Sequence, residues 1–212
     1  MDKLNRRIRD MHVFIVYAHP SEDSFTRHVR DSFIEGLTAG NHSFEISDLY
    51  AMNFKTDMTE SEYLREANYN NDLPQADDVV VEQEKINRSD ALVFIYPVFW
   101  TEAPAKLVGW FDRVWTYGFA YGDRNGEKTF VRKMRKLKKV LVLCVAGHTM
   151  EHLRETGHYQ AMESVMLGDR IYDRAEEKHL ILLGGTTKFF PELRQENWDK
   201  HLKTAFESGK AL

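Results

Sequence analysis

Five short apolar runs, separated by segments with helical spacing, constrain the fold of this chain more than any other feature. They predict strands at 12–18, 43–50, 91–97, 139–147 and 179–185. The first, third and fourth runs are continuously apolar and rich in β-branched residues, which is typical of parallel strands buried on both faces. The second run alternates, as an edge strand does. Repeated alternation of strand and helix predicts a doubly wound α/β fold, a five-stranded parallel sheet with helices on both faces.

The segments between the runs carry helix signals. The apolar residues Phe25, Val29, Phe33 and Leu37 are spaced four apart and form one stripe, and Ser24 precedes that stripe as a candidate N-cap. Pro104 suits the first turn of a second helix, where a missing N–H costs nothing. Further helical patterns occupy 77–88, 158–167 and 196–209.

One stretch, 51–76, carries no such pattern and is interpreted as a long irregular insertion. A loop of this length within a compact domain is usually functional or disordered. The 212 residues suit one large α/β domain, and we treat 1–212 as a single domain.

Charge and composition narrow the function classes. With 29 basic against 33 acidic residues and a net charge of −4, the chain lacks the overall basic footprint of a nucleic-acid-binding protein. The densest basic run, 132–139, comes directly before an apolar run and is interpreted as a solvated approach to a strand. No apolar run approaches the ~20 residues needed to span a membrane.

Cys144 is the only cysteine, so no disulfide framework is possible. This predicts a reducing, cytoplasmic location. The residue lies within the apolar run VLVLCVAG, where a thiol is usually a small buried hydrophobe rather than a nucleophile.

Three loops that follow predicted strands hold residues that a bare connection would not need. In open α/β sheets the ligand binds at the carboxyl ends of the strands, at the switch point in strand order. The first loop, AHPSEDSFT, ends at a helix N-terminus with Ser24 and Thr26, where free N–H groups and hydroxyls favour a phosphate. The chain contains no G-x-G-x-x-G and no P-loop motif, so the usual dinucleotide and nucleoside-triphosphate cradles are absent.

The second loop lies within the aromatic stretch YPVFWTEAPAKLVGWFDRVW, residues 96–115. Trp110, Phe111 and Trp115 fit the buried face of a helix. Phe99 and Trp100 fall before that helix and are predicted to contact a flat aromatic ligand. A phosphate site beside aromatic walls, without the usual nucleotide motifs, indicates a flavin.

These residues resemble the NAD(P)H dehydrogenase (quinone) family of two-electron quinone reductases. The resemblance runs over about residues 12–185 and rests on the stretches HPSEDSF, DLYAMNF, ADDVVVEQEKINRSDALVFIYPVFW and PAKLVGWFDRVWTYGFAY, with the loop 147–159. It implies a flavodoxin-like fold, bound FAD or alternatively FMN, and hydride transfer from NAD(P)H to a quinone-like small molecule. It also implies a homodimer whose site is shared between subunits.

The resemblance also assigns residues to the cofactor. It puts His19, Phe25 and Thr26 on the phosphate and ribose side, with Ser24 as the neighbouring cap. It puts the ring against Pro97, Val98, Phe99 and Trp100, and its pyrimidine edge against Val145, Ala146, Gly147 and His148. Within YGFAY, residues Tyr117, Phe119 and Tyr121 are expected at the partner subunit's site.

The sequence departs from the family at several of these positions. Thr26 stands where many relatives have Asn, and His148 stands where a second Gly is common. Counting from Gly147, the two positions of the family's charge relay fall on Leu153 and Tyr159. His152 and His158 lie one residue away, so the candidate catalytic residues are Tyr159, His158 and His148.

Other function classes remain open. No carboxylate or Cys pattern completes a metal site around the histidines at 148, 152 and 158, and no metal is expected. A flavodoxin-type electron carrier would dock through charge, which the near balance here disfavours. A regulatory flavoprotein subunit of a membrane transporter is a further alternative. The homodimer is also suggested by the cluster of aromatic residues at 110, 115, 117, 119 and 121, which one helix can bury only in part.

Overall fold

A computed structural model gives the structure of this chain and describes residues 10–124 and 127–212. Its main element is a five-stranded parallel sheet. The strands are β1 (His12–Tyr17), β2 (Ser43–Asp48), β3 (Ala91–Pro97), β6 (Leu137–Val145) and β7 (Ala175–Leu183). They lie in the order β2-β1-β3-β6-β7, which is the flavodoxin-like doubly wound order once a separate hairpin is left out. The predicted fold class is confirmed.

Helices cover both faces of the sheet. They are α1 (Phe25–Ala39), α2 (Glu60–Ala67), α3 (Asp77–Arg88), α4 (Ala105–Val114), α5 (Met150–Glu155), α6 (His158–Glu163) and α7 (Pro191–Lys210), with a π-helical segment at Ser164–Ile171. Alternate residues of each strand point to opposite faces, so the buried side chains fall into two core clusters. The helices α1 and α7 pack on one face, and α3 and α4 pack on the other.

The strand register brings three strand ends to one edge of the sheet. Tyr17, the last residue of β1, pairs with Ile95 of β3. Pro97, the last residue of β3, pairs with Val145, the last residue of β6. Because the strands are parallel, the loops that follow β1, β3 and β6 open side by side.

The predicted N-terminal helix forms as its spacing indicates. Val29, Phe33 and Leu37 are fully buried on α1. The Ser24 side chain accepts a hydrogen bond of 3.1 Å from the backbone N–H of Arg27, which confirms Ser24 as the N-cap.

Three elements differ from the sequence interpretation, and one of them is the short helix α5 within the predicted loop 147–159. The stretch 51–76 is not irregular throughout, because α2 lies within it. Thr59 and Glu62 form a capping box at its N-terminus, a signal that the sequence carries. A two-stranded antiparallel hairpin, β4 (Tyr121–Arg124) and β5 (Glu127–Arg132), was also not predicted.

The aromatic face of α4 is buried as predicted. Trp110 is fully buried, and its indole N–H donates a hydrogen bond of 2.8 Å to Glu82. Phe111 is also buried, and the Trp115 indole donates to the carbonyl oxygen of Arg170 over 2.6 Å. These rings explain much of the unusual aromatic content of residues 96–115 as core.

Cys144 is fully buried, as predicted for a small hydrophobe. Burial raises the pKa of its thiol to about 12, so the nucleophilic thiolate is scarce near neutral pH. In the part of the chain that the structure describes, no helix combines the length and apolar character needed to cross a bilayer.

Candidate active site

A cleft of about 510 Å³ opens at the sheet edge where β1, β3 and β6 end. This is the place where ligands of doubly wound sheets bind, and the volume lies in the range of small-molecule sites. Nine of the residues assigned to the cofactor from the sequence line it: His19, Ser24, Phe25, Thr26, Pro97, Val98, Phe99, Val145 and Gly147.

The N-terminus of α1 forms one end of the cleft. Among the described residues, no acceptor lies within hydrogen-bond distance of the backbone N–H groups of Phe25 and Thr26. The first turn also contains no acidic residue that would occupy the positive end of the helix dipole. Free N–H donors at a helix N-terminus fit a phosphate group, and Asp23, directly before the cap, is the one acidic residue that also lines the cleft.

His19 follows β1 and presents a directed donor to this end. Its Nδ1 lies 2.9 Å from the backbone nitrogen of Ser21 and 3.1 Å from the carbonyl oxygen of Ser21, and in the tautomer that accepts from the Ser21 N–H the ring proton lies on Nε2. Burial lowers the pKa of His19, which favours this neutral form near pH 7. The Nε2–H group is then free to donate to an oxygen in the cleft.

The loop after β3 forms the middle of the cleft. Phe99 and Glu102 exchange two backbone hydrogen bonds, of 2.8 and 3.0 Å, and close a tight turn. Both central residues have positive φ, 51° at Trp100 and 66° at Thr101. A β-branched residue in this conformation is strained, and such strain commonly lies at functional sites. Arg170 fixes the turn through an ion pair of 2.9 Å with Glu102.

This turn separates the two aromatic residues that were predicted to act together. Phe99 lines the cleft, whereas the Trp100 side chain is 99% exposed and lies outside the lining. Trp100 therefore does not line the cleft of the single chain, and its assignment to the ring wall stays a prediction. The reversed turn, which apolar patterning cannot indicate, directs its side chain to solvent.

In the loop after β6, too, only some of the residues assigned to the cofactor line the cleft. Val145 and Gly147 line the cleft, but Ala146 is buried, and its N–H donates to Leu183 over 3.0 Å. Ala146 therefore belongs to the sheet edge rather than to the cleft wall. His148 is also outside the lining, since its ring is exposed and stacks on His152 at 4.5 Å.

A wall formed by the C-terminal segment was missed by sequence reasoning. Lys188, Arg194 and Trp198 line the cleft beside the first turn of α1. The Trp198 ring packs on Phe25 at 4.4 Å, and the guanidinium of Arg194 lies 4.6 Å from the Trp198 centroid. The available signal is the basic and aromatic spacing of 188–198, of which only the part from 196 onward falls in a predicted helix, 196–209.

The candidate proton donors do not line this cleft. Tyr159 is half-buried, its hydroxyl lies 3.5 Å from Glu163, and burial raises its pKa. His158 is exposed, and its Nδ1 lies 2.8 Å from the Thr156 hydroxyl. Leu153, at the first relay position, is buried in the core. A protonated Tyr159 can donate, so its role stays a prediction.

The YGFAY segment packs largely within its own chain. Tyr117 is buried, and its hydroxyl donates to Asp123 over 2.7 Å. The Tyr121 hydroxyl donates to Glu66 over 3.1 Å, and burial, followed by the charge of Glu66, raises the pKa of Tyr121 to about 12. Phe119 is half-buried against the core.

These positions remove the physical argument that linked the aromatic cluster to a dimer. Trp110 and Tyr117 are buried within the chain, and the other members of the cluster are partly buried against the same core. The expected exposed aromatic patch is therefore not present at 110–121. The homodimer itself stays a prediction.

Within residues 10–124 and 127–212, no group of three or more His, Cys, Asp or Glu side chains is arranged to hold a metal ion. The cleft itself offers N–H donors, cationic side chains and apolar walls. This donor set fits an organic anion with a flat ring.

His201 makes the stability of the site depend on pH. This buried residue of α7 donates a hydrogen bond of 2.8 Å from Nε2 to the carbonyl of Gly184, in the loop after β7. Burial lowers the pKa of His201. The unfolded chain therefore binds a proton at a higher pH than the folded chain, and this contribution to stability is present above about pH 6.5 and lost as pH falls.

We expect the flavin-free protein to lose more free energy of unfolding between pH 7.5 and 5.5 than its His201→Gln variant. The Gln side chain keeps an N–H donor for Gly184 but does not titrate. Urea denaturation at the two pH values measures both differences. Equal losses in the two proteins would show that His201 does not titrate in this window.

A doubly wound sheet with a donor-rich, aromatic-walled cleft at its switch point defines the chain as a flavodoxin-fold protein. The chain belongs to the family described as having the flavodoxin-like fold, which matches it over residues 11–170.

Two similar proteins support this family membership. A solved NAD(P)H:quinone oxidoreductase from Methanothermobacter marburgensis is 42% identical, with a TM-score of 0.85 over 94% of this chain and 99% of that one. The ribosyldihydronicotinamide dehydrogenase [quinone] of Pongo abelii is 33% identical over 68% of this chain and 67% of its own length. The chain spans about two thirds of the length of the curated relatives it matches.

A third protein shares the fold alone. The FMN-dependent NADH-azoreductase of Bacillus anthracis, solved in complex with FMN, is 17% identical. Its TM-score is 0.64, over 93% of this chain and 99% of that chain.

Proposed function

We propose that this chain is a flavin-dependent NAD(P)H:quinone oxidoreductase. The observation that carries the proposal is the cleft at the switch point, where α1 offers free N–H groups and Phe99 and Val145 offer apolar walls. The similarity to solved and curated quinone reductases supports the same reaction. When bound, the flavin supplies the chemistry of hydride acceptance from NAD(P)H and two-electron transfer to the quinone.

The chain's own residues hold and orient the reactants. The N–H groups of Phe25 and Thr26 and the Nε2–H of His19 bind phosphate oxygens. The strained turn at 99–102, held by Glu102 and Arg170, fixes Phe99 as the wall beside the ring. Among the described residues, the N–H of Gly147 has no acceptor, so it can donate to a negative oxygen at the ring's edge.

We further propose that the cofactor is FAD rather than FMN. FMN ends at its single phosphate, and the N–H groups at the N-terminus of α1 are sufficient to bind that phosphate. The cleft continues beyond it to Lys188, Arg194 and Trp198. A second phosphate suits the two cations, and an adenine suits the indole face.

Trp198→Ala should weaken FAD binding by about tenfold or more, since stacking of a base on an aromatic ring is worth about 1–3 kcal/mol. FMN has no adenine, so its affinity should change little and serves as the internal control. Fluorescence titration of the flavin-free protein with each flavin measures the ratio. Equal loss for FAD and FMN would contradict the adenine assignment.

The overall reaction is tested by steady-state kinetics. One cleft must serve donor and acceptor in turn, so double-reciprocal plots should give parallel lines with NAD(P)H and a benzoquinone. Intersecting lines would require donor and acceptor to be bound together. Absence of turnover with a quinone would favour the carrier or transporter-subunit alternatives, and neither has a specific observation in its favour.

We also propose that the chain forms a homodimer, and this proposal rests on a surface other than the aromatic cluster at 110–121. Trp100, Phe189 and Phe190 are 99%, 89% and 61% exposed, and Lys188 beside them lines the cleft. Large exposed rings at a cleft mouth are typical of a surface that a second copy covers. Sedimentation of the flavin-loaded protein tests this, and a fully active monomer would contradict it. A cytoplasmic location, predicted from the single cysteine, belongs to the same proposal.

A further inference from the structure

A second cleft, of about 550 Å³, lies between the β4–β5 hairpin and residues 172–174, which follow the π-helical segment. None of its lining residues lines the candidate flavin cleft. Its charged lining consists of three arginines, Arg124, Arg132 and Arg174, and one carboxylate, Asp173. Neither the proposed redox reaction nor the packing of the core accounts for this arrangement.

The cleft carries an excess of positive charge. Three guanidinium groups face one carboxylate, and Arg132 Nε lies 3.5 Å from Asp173. Arg124 is exposed, and in the hairpin register it pairs with Glu127. Like charges this close together repel one another unless an anion lies among them.

Some hydrogen-bond donors of these arginines are not satisfied by the residues that the structure describes. Nη1 of Arg132 donates to the carbonyl of Met134 over 2.7 Å, and Nη1 of Arg174 donates to that of Arg170 over 3.3 Å. The Nε atom of Arg174 is buried without a hydrogen-bond acceptor in the described part of the chain, and the buried Nε of Arg132 has only its ion-pair partner Asp173, at 3.5 Å. Buried donors of this kind are rare and call for an unseen partner. Burial lowers the pKa of Arg174, and the charges of Asp173 and Asp169 oppose this shift only in part.

Aromatic faces lie beside the arginines. Phe130 is 57% exposed and Tyr172 is 64% exposed, and both line the cleft. Tyr172 has a positive φ of 46°, and its carbonyl accepts a hydrogen bond of 2.6 Å from Lys178 Nζ. A strained backbone thus holds a large ring at the cleft instead of letting it pack in the core.

We propose that this cleft binds the phosphate groups of a nucleotide, with the base against Phe130 or Tyr172. Guanidinium groups bind phosphate through paired, charge-assisted hydrogen bonds, and an aromatic side chain stacks on a base whatever its identity. The phosphates of the NAD(P)H donor and those of a free regulatory nucleotide share this chemistry. The donor case rests on the proposed function, whereas binding itself does not.

Binding is tested by equilibrium dialysis of 2′,5′-ADP against the flavin-loaded protein, in which the flavin cleft is already filled. Arg124→Ser with Arg132→Ser should weaken binding by about tenfold or more, because charge-assisted hydrogen bonds are lost. Lys136→Ser removes one exposed charge outside the cleft and should leave the affinity unchanged. Arg124→Ser alone, at an exposed position, provides the test if the double variant does not fold.

Kinetics distinguish the two sources of phosphate. If the donor's phosphates bind here, the double variant should raise KM for NADPH about tenfold, leave kcat unchanged, and leave KM for 1-methyl-1,4-dihydronicotinamide, which has no phosphate, unchanged. If the double variant binds 2′,5′-ADP more weakly but keeps the wild-type KM for NADPH and for 1-methyl-1,4-dihydronicotinamide, the cleft binds a nucleotide other than the hydride donor.

Failure to bind 2′,5′-ADP saturably, or an equal loss of affinity in Lys136→Ser, would overturn the proposal. A cleft covered by a second copy of the chain would give the first of these results. Failure of the proposed redox function would instead appear as no turnover with either donor, and would leave the dialysis result intact.

Discussion

Replacing Arg113 with methionine should lower the free energy of unfolding by about 3–5 kcal/mol, the usual cost of breaking a buried ion pair by removing one partner. Arg113 is 3% exposed on α4. It forms ion pairs of 2.7 Å with Glu62 and 2.6 Å with Asp78, and it donates to the carbonyl of Lys55 over 2.9 Å. Without it, two carboxylates and a carbonyl lose their shared cation. Asp78 keeps contact with water, so the lower value is expected.

The effect of this substitution should depend on pH with a definite sign. The hydrogen bond from Arg113 lowers the pKa of Asp78. Burial alone would raise the pKa of Glu62, but hydrogen bonds from Thr59 and Arg113 lower it below its ordinary value. Folded pKa values below the unfolded ones stabilise the protein at neutral pH, and that contribution is lost as pH falls. The difference between wild type and variant should therefore shrink below about pH 4.

Arg88→Met provides the matched control. Arg88 also forms a two-pronged pair with a carboxylate, Glu45, but on the exposed surface. Exposed pairs contribute little, so this variant should be far less destabilised than Arg113→Met in the same urea titration. Similar losses in the two variants would show that burial of the Arg113 network does not determine its strength.

The fold was predictable where burial on both faces leaves a strong signal. The runs at 12–18 and 91–97 coincide with β1 and β3 to within one residue, because continuous apolar runs of this length have few other places to be buried. The helix α2 was missed because its stripe is short and its sequence mainly polar. Glu62 of α2 is held to the domain by Arg113, 51 residues away in sequence, and no local pattern reveals such a contact.

The candidate site was predictable as loops but not side chain by side chain. The switch-point rule located the three loops correctly, since it depends only on strand order. It could not separate Phe99 from Trp100, because a turn with two left-handed residues decides which ring enters the cleft. It also could not find Arg194 and Trp198, which reach the cleft only through the packing of α7 on α1.

The packing of α7 on α1 leads to the second large effect, which is expected for Gly36→Ala in the last turn of α1. A Cβ at Gly36 would overlap the carbonyl oxygen of Phe206 on α7 and lie 3.0 Å from the backbone nitrogen of Lys210. The obstacle is backbone, which cannot rotate away as a side chain can, so α7 must shift. Overpacking of this kind costs typically about 1–3 kcal/mol. We expect a loss of stability, although alanine is the better helix former.

The same shift should reach the cofactor. The helix α7 carries Arg194 and Trp198 into the cleft wall, where Trp198 packs on Phe25, and a packed helix moves as a unit. Gly36→Ala should therefore weaken FAD binding more than FMN binding, since only the adenine side of the cleft depends on α7. Urea titration and flavin titration of the same preparation measure both effects.

Gly168→Ala separates this steric effect from the general effect of the substitution. Gly168 also lies within a helical segment, but the nearest atom to its added Cβ would be the Ser164 hydroxyl at 3.7 Å, an ordinary contact. This variant should be as stable as the wild type or more so, because alanine reduces the freedom of the unfolded chain. If Gly36→Ala behaved like Gly168→Ala, α1 and α7 would not need a glycine at their crossing. The dependence of the adenine wall on that crossing would then be wrong.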